Sequence, residues 1–108
     1  MTDRNKTISN AFKAFITEAP EHAKAWGGMV QALEQASSLE TKTSALSYIA
    51  VLAALNRTSG IPFHVLSAKE VGATREEVIS AVLLGLPAAG HLVTQALPVA
   101  IEAYDKNE

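Results

Sequence analysis

The chain has 108 residues, nine basic against eleven acidic side chains for a formal net charge of -2, 48 % apolar residues, few aromatics and no cysteine. So balanced a charge offers no footprint for nucleic acid or an anionic membrane, and without sulfur in thiol form there is no disulfide, no thiolate nucleophile and no cysteine-ligated metal. One domain, 1–108, is expected, with a modest core of Ala, Leu, Val and Ile that suits packed helices better than sheets.

The stretch Met1-Thr2-Asp3-Arg4-Asn5-Lys6 is polar with no apolar run behind it, so neither a signal peptide nor an anchor is expected and the protein is read as cytoplasmic. A first helix is predicted over about 7–18, placing Ile8, Phe12, Phe15 and Ile16 on one face. Ala19-Pro20 ends it, and Pro20 suits the first turn of a second helix that carries Trp26, Met29, Val30 and Leu33 as far as Ser37-Ser38. Gly27-Gly28 weakens that helix by about 1 kcal/mol per glycine relative to alanine.

The third helix, from about Glu40 to Asn56, is apolar around its whole circumference over 45–55 and demands burial on every side. It is too short for a bilayer, which needs about 20 residues, and a chain this small cannot surround it. Neighbouring subunits are therefore expected to cover part of it, with Tyr48 and Trp26 as core or interface aromatics.

After Asn56-Arg57-Thr58-Ser59-Gly60, Pro62 lies in the first turn of a fourth helix that reaches Val71 and stops at Gly72, a natural left-handed cap. Thr58 and Ser59 are expected to cap its start rather than act as nucleophiles, since no Ser-His-Asp pattern accompanies them. Thr74-Arg75-Glu76-Glu77 is a capping box opening helix five, which carries Val78, Ile79, Val82, Leu83 and Leu86. A break over 87–90 leads to a last helix from about His91 to Tyr104, kinked at Pro98. The expected fold is thus an all-α, single-domain bundle of about six helices.

Few side chains in this chain can do chemistry. Arg57 could hold a carboxylate through two parallel hydrogen bonds, and His64, about one turn into helix four, could act as a general acid or base. His91 and Gln95, at i and i+4 after the small residues 88–90, could line a pocket. The three histidines, His22, His64 and His91, lie on separate elements without a His-x3-His or Glu-x-x-His pair, so no metal site is expected.

The apolar helix after Leu39-Glu40-Thr41-Lys42-Thr43, the short polar loop, Phe63-His64 and then Val71-Gly72-Ala73-Thr74-Arg75-Glu76-Glu77-Val78 together resemble the carboxymuconolactone decarboxylase and alkylhydroperoxidase D-like family over about 39–104. The resemblance implies an all-helical fold, no cofactor, and assembly as a homotrimer or a homohexamer. The peroxidase branch of that family carries a helix glutamate, Cys-x-x-Cys and a histidine; these positions fall here on Ala45, Arg57, Gly60 and His64, so only the histidine remains. A dithiol peroxidase needs a low-pKa thiolate and a resolving partner, and the chain has neither.

The decarboxylase branch has an Asn-Arg pair eight and seven residues before its histidine, a spacing that Asn56, Arg57 and His64 reproduce. Where those enzymes continue with acidic residues, this chain has Thr58-Ser59-Gly60. By this resemblance His64 is the candidate catalytic residue, and Asn56 and Arg57 are candidate substrate-binding residues for a small carboxylate; Ser59, in the same loop, and His91, as a pocket-lining position, complete the candidate binding set. Two functions are expected to compete: a cofactor-free lyase acting on a carboxylated, lactone-type substrate, and a non-catalytic homo-oligomeric binding protein that kept the fold and lost the dithiol chemistry.

Overall fold

A computed structural model describes residues 7–106 and is helical almost throughout. Its elements are α1 (Asn10–Glu18), α2 (Pro20–Ala36), α3 (Thr41–Ala54), a 3-10 turn (Thr58–Gly60), α4 (Ile61–Glu70), α5 (Arg75–Leu83), the single turn α6 (Leu86–Ala89), a second 3-10 turn (His91–Gln95) and α7 (Ala96–Lys106). The six expected helices are present, with an extra turn, α6, just ahead of the expected break; helix five ends at Leu83, so Leu86, expected on it, belongs to α6 instead. By their contacts the residues form two units, Ile8–Leu39 and the part from Glu40 onward.

The first unit is a helical hairpin. Ser9 caps α1, its Oγ accepting the Phe12 N–H at 3.1 Å, so the helix starts later than its apolar spacing suggested. Pro20 opens α2 in the first turn, where its missing N–H has no intrahelical acceptor to lose. The two helices meet through aromatics: the Trp26 ring lies 5.4 Å from Phe12 and 6.3 Å from Phe15, both edge-on, the orientation ring quadrupoles prefer. No residue of α1 or α2 is buried, and Ile16, Trp26, Met29 and Leu33 are all exposed.

A Cβ built on Gly27 or Gly28 meets nothing within 4 Å, so alanine fits both sites. Gly27→Ala/Gly28→Ala is expected to stabilise the protein by about 1 kcal/mol per site, read as a rise in the denaturation midpoint at unchanged slope. An unchanged or lower midpoint would show that the two glycines are not the weak spot of α2.

The second unit holds the core. Ile49, Leu52 and Ala53 of α3, Ile61, Val65 and Ala68 of α4, Val78, Ala81 and Val82 of α5, and Ala96, Ala100 and Ala103 of α7 form one apolar cluster with Val93. Both α3 and α7 pack on α4 and on α5. The alanines of α7 recur at i, i+4 and i+7, which puts a narrow stripe against the core and lets backbones approach. Burial of each fully enclosed Ile or Val contributes about 1.5–3 kcal/mol.

Local chemistry fixes the ends of these helices. Thr74 accepts the Glu77 N–H at 3.1 Å while the Glu77 carboxylate accepts the Thr74 N–H at 2.9 Å, the predicted capping box. That backbone donor, followed by the Lys42 ammonium 3.1 Å away, holds the Glu77 carboxyl below its ordinary pKa. Glu40 caps α3 by accepting from the Thr43 N–H, which likewise lowers its pKa. Gly72, at φ 96°, closes α4 as expected: its N–H reaches the Lys69 carbonyl and that of Ala73 the Ala68 carbonyl, the paired bonds of a left-handed helix stop. At the same turn, the Arg75 guanidinium donates twice to Asp105 and lowers its pKa, and the Tyr104 hydroxyl donates to the Ala73 carbonyl.

Three local expectations change. Thr58 and Ser59 do not cap α4: the 3-10 turn winds the chain tightly into Gly60, which becomes the N-cap with no side-chain bond. Pro98 does not kink a helix, because α7 begins at Ala96 and puts the proline in its first turn, where the N–H has no intrahelical acceptor to lose. His91 and Gln95 do not share a helical face, since 91–95 is a 3-10 turn with about three residues per turn, and i, i+4 positions diverge.

Candidate functional site

The site predicted from the sequence lies on the turn from α3 into α4. Asn56 has φ 57°, a left-handed conformation that asparagine tolerates better than most residues. Its N–H bonds the Ala53 carbonyl at 3.1 Å and the next N–H, of Arg57, bonds the Leu52 carbonyl at 2.8 Å. These are the same paired bonds that stop α4 at Gly72. Asn56 therefore ends α3 and sets the direction in which Arg57 leaves the helix.

Arg57 is exposed. Of the lysines and arginines from Glu40 to Lys106, Lys42 pairs with Glu77, Lys69 donates to the Tyr104 carbonyl, Arg75 pairs with Asp105 and Lys106 with Glu102. Among the described residues Arg57 alone in this set has no side-chain hydrogen bond or ion pair. A guanidinium free of internal partners keeps its planar fork for an external carboxylate. Ser59 follows it in the 3-10 turn, also exposed.

His64 stands one turn into α4, half-buried. Two rings flank it: Tyr48 of α3, with centroids 4.5 Å apart and planes at 52°, and Phe63 at 5.3 Å and 71°. The Tyr48 contact was missed by sequence reasoning, which placed this tyrosine in the core or an interface. The signal available was topological: α3 and α4 are packed neighbours joined by a short turn, so residues a few positions either side of that turn come together.

His91 opens the second 3-10 turn and is exposed; its carbonyl accepts the Thr94 hydroxyl at 2.7 Å. That turn packs on α3, and a Cβ on Gly85 would lie 3.6 Å from the Ala54 Cβ and 3.9 Å from Val93, which puts the segment before His91 beside the end of α3. Among the described residues no hydrogen bond, ion pair or ring contact joins His91 to Asn56, Arg57, Ser59 or His64. The turn thus gathers four of the five candidates by chain continuity and leaves the fifth on a neighbouring element.

An open groove of about 370 Å³ lies elsewhere, between α3 and α5, lined by residues such as Leu46, Ser47, Glu76, Ser80 and Leu84. None of the five candidates lines it. Among the described residues its lining includes no histidine, lysine or arginine. Among the described residues no cluster of three or more His, Asp or Glu could hold a metal, and no helix is long and apolar enough to cross a membrane.

Comparison with known proteins bears on this turn. The model of the Carboxymuconolactone decarboxylase family matches residues 20–102, which includes all five candidates. Among solved structures, the chain is similar to the apo form of a carboxymuconolactone decarboxylase family protein from Legionella pneumophila, with a TM-score of 0.78 and 25 % sequence identity over 95 % of this chain and 92 % of that one. No curated protein matches the sequence.

Proposed function

Because the chain belongs to the carboxymuconolactone decarboxylase family, we propose that it is a homo-oligomeric, cofactor-free lyase acting on a small carboxylated, lactone-type substrate at the α3–α4 turn. The observation that carries this reading is Arg57, whose guanidinium has no partner among the described residues and sits seven positions before His64. Arg57 holds a substrate carboxylate; His64 delivers a proton to carbon. In the reaction a carbon–carbon bond to a carboxylate breaks and carbon dioxide leaves. The electron pair passes into the conjugated carbonyl of the lactone, and the proton from His64 then quenches it at carbon. A substrate that supplies its own electron sink needs from the protein only binding, orientation and a proton.

One observation favours the competing reading, a homo-oligomeric binding protein without catalysis: Arg57 is exposed and the 370 Å³ groove lies away from it. Titration with muconate and with carboxylated lactones, followed by heat and by histidine NMR, separates the two. The lyase reading expects sub-millimolar to millimolar binding, a shift of the His64 resonances and release of carbon dioxide. Binding with a His64 shift but no turnover of any lactone selects the binding protein, and absence of binding in the millimolar range overturns the carboxylate site altogether.

A further inference from the structure

We propose that Tyr48 is a positioning residue for His64 and the second polar contact of the ligand site, an inference that rests on the carboxylate reading of the α3–α4 turn. Tyr48 sits in a helix whose neighbouring residue Ile49 is 0 % exposed, yet it is itself 47 % exposed. Its ring lies 4.5 Å from the imidazole, centroid to centroid, with the planes at 52°. Its hydroxyl has no hydrogen-bond partner among the described residues.

Two consequences follow from this geometry. Rotation about the outer torsion of a histidine is soft and roughly two-fold, and a ring from another helix at van der Waals distance, with Phe63 on a second side, restricts it to a narrow range. Phe63 meets the imidazole edge-on at 5.3 Å and 71°, a favourable arrangement for aromatic rings. The imidazole is thereby held in one orientation before any ligand arrives. The phenol, beside that imidazole and without a hydrogen-bond partner among the described residues, is the donor assigned to a carboxylate oxygen of the ligand. Tyr48 keeps its proton throughout; no bond is made or broken on it.

The test uses the full chain with Tyr48→Phe and Tyr48→Leu, each checked for unchanged helicity and assembly. In the unmodified protein the His64 ring protons are expected upfield of their free positions through the Tyr48 ring current; Tyr48→Phe preserves the displacement and Tyr48→Leu removes it. Muconate is then titrated. Loss of the hydroxyl in Tyr48→Phe is expected to weaken binding up to about tenfold, and Tyr48→Leu to weaken it further and reduce the His64 response.

His64 resonances in Tyr48→Leu identical to those of the unmodified chain would overturn the positioning role. Muconate bound equally by all three proteins would overturn the ligand contact. If muconate fails to bind the unmodified protein, the carboxylate reading fails and the ligand contact with it, while the ring-current comparison still decides the positioning role.

Discussion

Replacing His64 by glutamine is expected to leave carboxylate binding within a few-fold of the unmodified protein while lowering turnover by about 10²- to 10⁴-fold, the range typical of a lost general acid. Glutamine fills a similar volume in the half-buried position between Tyr48 and Phe63 and retains hydrogen-bonding capacity, but it cannot hand over a proton. Arg57→Lys makes the complementary defect. A single ammonium keeps the charge and loses the planar fork, so KM rises with kcat little changed. The two effects are separable because one residue acts on carbon and the other on the carboxylate. If both variants alter only stability or assembly, and neither changes binding, the turn has no role in ligand recognition and the lyase reading fails.

A charge placed on α3 should have the largest effect on assembly. From Thr43 to Leu55 the chain carries no charged residue, and only one side of the helix is enclosed: Ile49, Leu52 and Ala53 are buried while Val51 is 50 % and Leu55 62 % exposed. Val51 and Leu55 lie about one turn apart on that open side. A second copy covering these two residues would exclude water from Val51, and a carboxylate there would be desolvated without a partner, at a cost of several kcal/mol per subunit. Val51→Glu is therefore expected to dissociate the protein into smaller species at micromolar concentration, whereas the unmodified chain scatters light as a trimer or hexamer. A folded monomer of the unmodified chain at that concentration would refute the expected oligomer, and a Val51→Glu variant of unchanged mass would place the interface elsewhere.

Helix ends were legible wherever a local rule acts within one turn of chain. Thr74 and Glu77 satisfy each other across three residues, Gly72 is the residue that a left-handed stop accepts with least strain, and Pro20 and Pro62 tolerate only the beginning of a helix; each occupies its expected place. Expectations failed where more than one local conformation serves the same residues. A 3-10 turn and an extended N-cap both serve Thr58-Ser59-Gly60, and the choice followed from how α3 must hand over to α4. The same holds for 91–95, where a 3-10 turn ahead of Ala96 removed both the kink at Pro98 and the shared face of His91 and Gln95.

For the site, the order of residues alone settles which atoms exist: one guanidinium and one imidazole seven residues apart, no thiol, and no glutamate at position 45. Those identities decide which chemistries are open, because proton transfer and carboxylate recognition need particular groups whatever the fold. What those groups touch came from the packing of the chain. Asn56 became the left-handed stop of α3, Arg57 emerged without a side-chain partner among the described residues, and Tyr48, sixteen positions upstream, came to lie on His64. The reason is the difference in range between the two kinds of interaction: caps and turns are set by hydrogen bonds a few residues long, whereas the neighbour of a side chain is set by which helix faces dock, and the nearly uniform apolar surface of α3 left that choice to the whole core.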